Sequence, residues 1–381
     1  MKKRMENAVK KSLGIYIHIP FCLRKCLYCD FCSFSDRDIM ESYCRELCRR
    51  IKLFSSKADE YNVDTVYFGG GTPTLLPIGL FESITNAVKD SFHVSEDCEI
   101  TAECNPATAD LEYFKSLRSF GINRLSIGLQ SVHENELAAL GRIHSFNDFV
   151  KTFEDARIAG FDNVSADLMY GIPEQTTESF EKSLVTLAKL KPEHISAYGL
   201  KIEEGTPFYK KKDSLLLPDE DAEYEMYLAC TEILSAHGLK KYEISNFARE
   251  GRESKHNLRY WKGLDYAGFG VAAHSLFGGE RYGNSRDVKG FIQGKEITSE
   301  RYVRSDKDEF NDFIMLSLRL TEGLSLKEFK TRTGISAEEY YPEIKNYLRH
   351  GFMRTDGERL SFTDKGFFVS NSILSDMLDF D

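Results

Sequence analysis

Residues 16–31 read Tyr16-Ile-His-Ile-Pro-Phe-Cys22-Leu-Arg-Lys-Cys26-Leu-Tyr-Cys29-Asp-Phe31, and this stretch carries the most information about the fold. It begins as a short apolar segment typical of a β-strand and continues into a loop with three cysteines. In parallel α/β proteins, reactive groups stand where a strand passes into a loop. Three closely spaced thiolates can each bind one iron of a four-iron cluster, which leaves the fourth iron open to a ligand from outside the protein. The stretch therefore predicts an iron–sulfur site with one open iron.

A closed site of four cysteines is the alternative interpretation. Cys32 follows three residues after Cys29, and Cys44 and Cys48 lie further along the chain. Any of these could supply the fourth ligand to a zinc ion or to a cluster. Cys44 and Cys48 lie four residues apart on a predicted helix, where packing in the core is the expected role.

The composition predicts a globular protein of one large domain and one or two small ones. The chain has 381 residues, of which 41% are hydrophobic. Nine cysteines, without a signal peptide or a long apolar run, indicate a reducing compartment, so we expect a cytoplasmic protein. The start, Met-Lys-Lys-Arg at 1–4, is basic, but no apolar segment follows it. The net charge of −10 argues against non-specific binding of nucleic acid.

Short apolar segments alternate with longer amphipathic segments over the first 240 residues. The predicted strands are 15–19, 64–68, 98–103, 123–128, 163–168 and 194–199. The predicted helices are 36–56, 77–91, 110–120, 133–140, 146–159, 176–190 and 219–237. This alternation is typical of parallel βαβ units, and six units are too few to close a barrel of eight. We therefore predict an α/β fold built on an open six-unit (β/α) partial TIM barrel.

Polar groups stand at the ends of four neighbouring predicted strands, from the second to the fifth. Because the carboxyl ends of parallel strands meet at one face, we expect these groups to converge there. A run of glycines lets backbone N–H and C=O groups approach a ligand closely. In chain order, the four groups are Gly69-Gly70-Gly71-Thr72, Glu103, Gln130 and Asp167.

The cysteine spacing, with the aromatic Tyr28 just before the last cysteine, resembles the signature of the radical S-adenosylmethionine (SAM) superfamily. The resemblance implies a 4Fe-4S cluster held by Cys22, Cys26 and Cys29, whose unique iron binds the amino and carboxylate groups of SAM. It also implies the partial barrel. Reduction of the cluster would cleave SAM to methionine and a 5′-deoxyadenosyl radical, which is chemistry of the cofactor rather than of the protein.

The strand-end motifs resemble the branch of this superfamily that contains oxygen-independent coproporphyrinogen oxidases and the HemW heme chaperones. The resemblance implies that Arg142 binds the carboxylate of SAM and that Asp167 binds its ribose hydroxyls. His18 would lie near the cluster without being a ligand. The full set of SAM-binding residues that the resemblance implies is Tyr16, Gly70, Gly71, Thr72, Glu103, Gln130, Arg142 and Asp167.

The segment after the barrel distinguishes the two members of this branch. His256-Asn-Leu-Arg-Tyr-Trp261 matches the HNxxYW motif of the heme chaperones and contains the only tryptophan of the chain. The resemblance implies that His256 ligates heme iron while aromatic rings cover the macrocycle. The alternative interpretation is that His256 and Trp261 pack against the open edge of the barrel.

Two features argue against an oxidase, which would decarboxylate coproporphyrinogen III with SAM. The oxidases carry a further cysteine where this chain has Phe31. They also carry an N-terminal extension, whereas only 21 residues precede Cys22. A second alternative, an RNA-modifying radical SAM enzyme, is disfavoured by the acidic charge and by the lack of a basic, aromatic-rich domain.

The last part of the chain is predicted to be a small winged-helix-like α+β domain. Helical patterns cover 312–320, 326–332 and 337–350, and a β-like segment covers 360–362. Acidic and basic residues are mixed throughout, so a lid or a docking role is expected rather than DNA binding. The predicted domains are 1–240 (the barrel with the cluster loop), 241–300 (a linking region with the HNxxYW motif) and 301–381 (the winged-helix-like domain).

The expected partners follow from the resemblance to heme chaperones. They are heme and heme-acceptor proteins, or coproporphyrinogen III if the chain is an oxidase. We expect no nucleic acid, and contact with membranes only peripherally, through acceptors. We expect a monomer or a dimer.

Overall fold

The computed structural model describes residues 10–378, and a twelve-stranded sheet forms its centre. Six of its strands follow one another in chain order, and each is parallel to the next. They are β1 (Lys11–Ile19), β2 (Tyr61–Gly70), β3 (Val94–Cys104), β4 (Arg124–Gln130), β5 (Val164–Tyr170) and β6 (His194–Gly199). All six predicted strands are thus confirmed, with bounds shifted by a few residues.

The helices between these strands also follow the sequence pattern. Asp110, Ser145, Thr176 and Asp219 each accept a hydrogen bond from a backbone N–H three residues later, which explains where four of them begin. The helices are α1 (Met40–Phe54), α2 (Ile78–Ser91), α3 (Leu111–Ser119), α4 (Glu134–Ala139), α5 (Phe146–Ile158), α6 (Thr177–Lys189), the short α7 (Pro207–Lys210) and α8 (Glu220–Ala236).

The central strands are covered on both faces. Every residue of β4 is buried, as is typical of parallel sheets enclosed by helices. Apolar side chains of all six strands and of the helices around them form one continuous core. This rigid core places the carboxyl ends of β1 to β6 side by side.

Residues 240–303 extend the sheet at both of its edges. β7 (Lys240–Lys241) and β8 (Asn246–Ala248) continue from β6, while β9 (Tyr266–Phe269), β10 (His274–Phe277), β11 (Glu280–Asn284) and β12 (Thr298–Val303) continue from β1. β9 is parallel to β1, and the other added strands are antiparallel to their neighbours. The sheet is therefore mostly parallel and open, with β12 and β7 as its edges. Two short helices, α9 (Lys255–Trp261) and α10 (Val288–Ile292), lie within this region.

The C-terminal part forms a separate small α+β unit with its own apolar core, centred on Phe329 and Phe362. Its three strands are antiparallel, in the order β13-β15-β14. The predicted helices and wing are confirmed, and the first helix begins six residues earlier than predicted. The elements are α11 (Asp306–Arg319), β13 (Leu324–Ser325), α12 (Leu326–Thr333), α13 (Ala337–Tyr340), α14 (Ile344–Arg349), β14 (Met353–Thr355), β15 (Arg359–Phe362), α15 (Asp364–Phe368) and α16 (Ser370–Met377).

None of the helices between residues 10 and 378 is both long and apolar enough to cross a membrane. The basic start at 1–4 lies outside the described residues.

Candidate functional site

The three predicted cluster cysteines lie on the loop that joins β1 to α1. Cys22, Cys26 and Cys29 are free thiols, partly exposed, and all three line one cavity of about 550 Å³ at the carboxyl ends of the strands. The glycine loop after β2 holds the start of the cysteine loop through backbone hydrogen bonds. The Gly71 N–H donates to the carbonyl of Ile19 (2.9 Å), and the Thr72 N–H donates to that of Phe21 (2.7 Å).

Among the residues that the structure describes, no three His, Cys, Asp or Glu side chains come close enough together to share one metal ion. A 4Fe-4S cluster does not need such a group, because it binds each thiolate through a different iron. Burial raises the pKa of the Cys29 thiol to about 11, so this thiol stays protonated until iron binds.

The other cysteines near the loop are placed differently. Cys32 is buried and lines a separate cavity, while Cys44 is in the core, where burial raises the pKa of its thiol to about 12. Cys48 packs against that core. Cys104 reaches the wall of the cluster cavity, but its thiol donates to the carbonyl of Asn105 (3.3 Å). This arrangement favours three cluster ligands over four.

Two of the cluster sulfurs accept hydrogen bonds from side chains on the neighbouring loops. The Thr72 hydroxyl donates to Cys22 Sγ (3.7 Å), and Arg142 Nη1 donates to Cys26 Sγ (3.4 Å). Asn105 connects these two donors, since its Nδ2 donates to Thr72 Oγ1 (2.7 Å) and its Oδ1 accepts from Arg142 Nη2 (2.7 Å). Hydrogen bonds of this kind orient ligands and stabilise thiolates. Asn105 was not predicted as a site residue, since its only signal in the sequence is its position two residues after Glu103.

Glu103 stands at the end of β3 and lines the same cavity. Its carboxylate accepts hydrogen bonds from the Tyr67 hydroxyl (2.9 Å) and from the Gly70 N–H (3.1 Å). Burial raises the pKa of Glu103 to about 7, because desolvation disfavours the charged form. A bound ammonium group would favour the carboxylate again.

Gln130 and Asp167 line the same cavity. Gln130 has a φ of 74°, which is uncommon for a residue other than glycine and is often found at functional sites. Its Oε1 accepts a hydrogen bond from the Tyr198 hydroxyl (3.0 Å), and Asp167 accepts one from the Ser126 hydroxyl (3.3 Å). Burial raises the pKa of Asp167 as well. Tyr198 was predicted only as part of a strand and not as a site residue.

The predicted SAM-binding residues do not all reach this cavity. Gly70, Gly71, Glu103, Gln130, Arg142 and Asp167 line it. Thr72 is buried and does not line the cavity, but its hydroxyl forms hydrogen bonds with Cys22 and Asn105, which do. Tyr16 lies in the neighbouring cavity, where its hydroxyl is 3.1 Å from His18 Nδ1, and its ring stacks on that of Tyr67.

His256 is buried inside the HNxxYW motif, with 1% of its surface exposed. Its Nδ1 is 2.8 Å from the Thr65 hydroxyl, and its Nε2 is 2.8 Å from the Tyr260 hydroxyl. The ring stacks on Tyr67, and burial lowers the pKa of His256 to about 3, so it is neutral. A heme-iron ligand needs a free ring nitrogen. The geometry therefore does not support His256 as a heme ligand and instead fits the alternative in which it packs against the barrel.

The similarity to known proteins covers nearly the whole chain. Residues 16–187 match the radical SAM superfamily, and residues 305–369 match the HemN C-terminal domain. The heme chaperone HemW of Bacillus subtilis (strain 168) is 35% identical over 379 residues, which cover 95% of this chain and 98% of the relative. HemW of Escherichia coli (strain K12) is 33% identical over 369 residues, 95% of this chain and 97% of its own.

This chain belongs to the HemW family. Its fold is shared with coproporphyrinogen III oxidase (HemN) from Escherichia coli, a radical SAM enzyme, with a TM-score of 0.85 over 98% of this chain and 92% of that one, at 22% identity. The resemblance predicted from the cysteine spacing and the HNxxYW motif is thus confirmed. Membership in the radical SAM superfamily implies a 4Fe-4S cluster and SAM, and the cysteine loop of this HemW-family chain has a donor set that fits them.

Proposed function

We propose that this HemW-family protein is a cytoplasmic heme chaperone. It binds a 4Fe-4S cluster through Cys22, Cys26 and Cys29, binds SAM in the adjacent cavity and transfers heme to acceptor proteins. The observation that carries the proposal is its similarity, over nearly the full length of both chains, to relatives named heme chaperones.

The charges around the cavity suit SAM. Glu103 would accept a hydrogen bond from its amino group, and Arg142 would pair with its carboxylate. Asp167 would accept hydrogen bonds from its ribose hydroxyls. Gly70 and Gly71 would let the backbone approach the methionine moiety, because no side chain stands in the way. A cluster held by these three cysteines would, when reduced, supply the electron for cleavage of SAM.

The remaining predicted residues would act through their neighbours. Gln130, held by Tyr198, closes the wall beside Asp167. Thr72 orients Cys22, and Tyr16 supports Tyr67 by stacking.

Two assays on one preparation test the proposal. The reconstituted protein is expected to bind hemin, as a Soret band in a titration, and to leave coproporphyrinogen III unchanged under anaerobic, reducing conditions with SAM. Conversion of coproporphyrinogen III to protoporphyrinogen, with consumption of SAM, would show an oxidase instead. Absence of hemin binding would remove the support for a chaperone.

SAM binding is expected to release a proton near neutral pH. With its pKa at about 7, Glu103 is partly protonated in the free protein, and a hydrogen bond from the amino group of SAM favours its charged form. SAM affinity should therefore fall as the pH drops below 7, because more carboxyls must first lose a proton. Calorimetric titrations in buffers of different ionisation enthalpy would count the proton.

Glu103→Gln provides the matched control. It keeps the shape of the side chain, so the cluster should assemble, but SAM affinity should weaken by about 1–3 kcal/mol. Fewer protons should be released, because only the amino group of SAM, which must lose its proton to bind iron, still contributes. Equal proton release by the wild type and by Glu103→Gln at pH 7 would show that Glu103 does not meet the amino group.

A further inference from the structure

A second cavity, of about 530 Å³, lies beside the cysteine loop and is not used by the chemistry described above. Among the described residues, Phe31 alone lines both this cavity and the cluster cavity, and 65% of its surface is exposed. The two cavities are therefore neighbours that meet at one aromatic side chain. Binding sites for small molecules and cofactors typically have volumes of about 300–1,000 Å³.

One wall of the second cavity is aromatic. It contains Tyr16, Tyr260 and Tyr266, and the rings of Tyr260 and Tyr266 meet edge to face at 4.6 Å. The hydrogen bond between His256 and Tyr260 holds the Tyr260 ring in this position. Large aromatic side chains give planar ligands an extensive apolar contact. The HNxxYW motif thus shapes the wall of this cavity, although its histidine does not enter it.

His274, the first residue of β10, is an exposed residue that lines the same cavity. Its ring lies over Gly283 on β11, where an added Cβ would come within 2.8 Å of the imidazole. Among the described residues, none makes a hydrogen bond with this ring. The other lining histidine, His18, has both ring nitrogens engaged, by the Tyr16 hydroxyl and by the Cys32 carbonyl. His274 is therefore the imidazole that is open to a ligand.

A positive charge stands at the rim of the second cavity. The side chain of Arg286 is 64% exposed, and its Nη1 donates to the carbonyl of Asp30 on the cysteine loop (3.2 Å). The Asp30 carboxylate is 3.7 Å from Arg286 Nη2, and both groups are partly solvated, so this pair is weak. An exposed guanidinium can exchange such a partner for the carboxylate of a ligand.

We infer that the second cavity is the heme site, with His274 as the iron ligand and Arg286 paired with a propionate. The inference rests on the proposed heme-chaperone function and says where in the molecule heme binds. Heme has a flat apolar macrocycle, an iron that binds imidazole and an edge with anionic propionates. These three features match, in turn, the aromatic wall, the free histidine and the arginine of this cavity.

Hemin titration of full-length, cluster-loaded protein tests the site. His274→Ala should weaken hemin binding by at least about tenfold, the loss typical even of residues one step removed from a metal. It should also change the position of the Soret band, and added imidazole should restore the wild-type spectrum. His93→Ala is the matched control, because His93 is an exposed histidine before β3, at the opposite end of the strands. Iron content and SAM affinity should be unchanged in both variants.

Arg286→Gln tests the propionate contact separately. It should weaken the binding of hemin but not of hemin dimethyl ester, in which the propionates are neutral. If wild-type protein binds no hemin, the proposed function fails. If the wild type binds hemin and His274→Ala binds it equally, with the same spectrum, the chaperone proposal stands and the assignment of this cavity is overturned.

Discussion

Replacing Cys22, Cys26 or Cys29 by alanine is expected to abolish assembly of the four-iron cluster, whereas Cys32→Ala should leave a cluster that still binds SAM. Each of the three thiols faces one cavity, while Cys32 is buried and lines the other. A cluster with only two protein ligands lacks the thiolates that hold it. Iron content and visible absorbance after anaerobic reconstitution would measure the effect.

Cys48→Ala is the control for the loss of a thiol, since Cys48 is on α1, packed against the core rather than on the loop. It should match the wild type in iron content. Loss of the cluster in Cys32→Ala would mean a site closed by four cysteines, and the open-iron interpretation would be wrong.

Gly71→Ala is expected to destabilise the protein by about 1–3 kcal/mol and to lower its iron content. A Cβ at this position would lie 2.7 Å from the carbonyl oxygen of Phe21 and 2.8 Å from that of Ile19. Both carbonyls accept backbone hydrogen bonds from the glycine loop, so the start of the cysteine loop must move. Denaturant unfolding and iron analysis would measure the two effects.

Gly79 offers a matched comparison, because nothing lies within 4 Å of a Cβ added there, at the start of α2. Gly79→Ala should leave the iron content unchanged and should stabilise the helix slightly, by up to about 1 kcal/mol. Equal stability and iron content in the two variants would show that the close approach at Gly71 does not matter.

The long helices and the central strands could be predicted because their hydrophobic patterns extend over many residues. The apolar runs of β1 to β6 and the capped amphipathic helices between them identify the parallel centre of the sheet. The strands from β7 to β12 were not predicted, because each has only two to six residues and such segments hold too few alternations to show a period. Their places in the sheet depend on contacts between distant parts of the chain.

The sequence predicts those site residues whose position at the end of a strand brings them to the cavity. Glu103, Gln130 and Asp167 converge on the cavity of the three predicted ligand cysteines because parallel strands bring their carboxyl ends together. Arg142, which follows α4 rather than a strand, was predicted from the resemblance alone. Asn105 and Tyr198 were missed, since their roles depend on where their side chains point. The heme role suggested for His256 illustrates the same limit, because a motif does not show whether both ring nitrogens already have partners.

The pairing of β9 with β1 has a consequence for the order in which the molecule is built. Gly14 lies beside Tyr266, so one edge of β1 can pair only after a segment made far later during synthesis has left the ribosome. Until then, the β1 edge has unpaired backbone groups, and closing so long a loop carries an entropic cost. The walls of the second cavity come from both segments. An unfinished chain on the ribosome therefore has no such cavity, and any ligand of this cavity must bind after folding is complete.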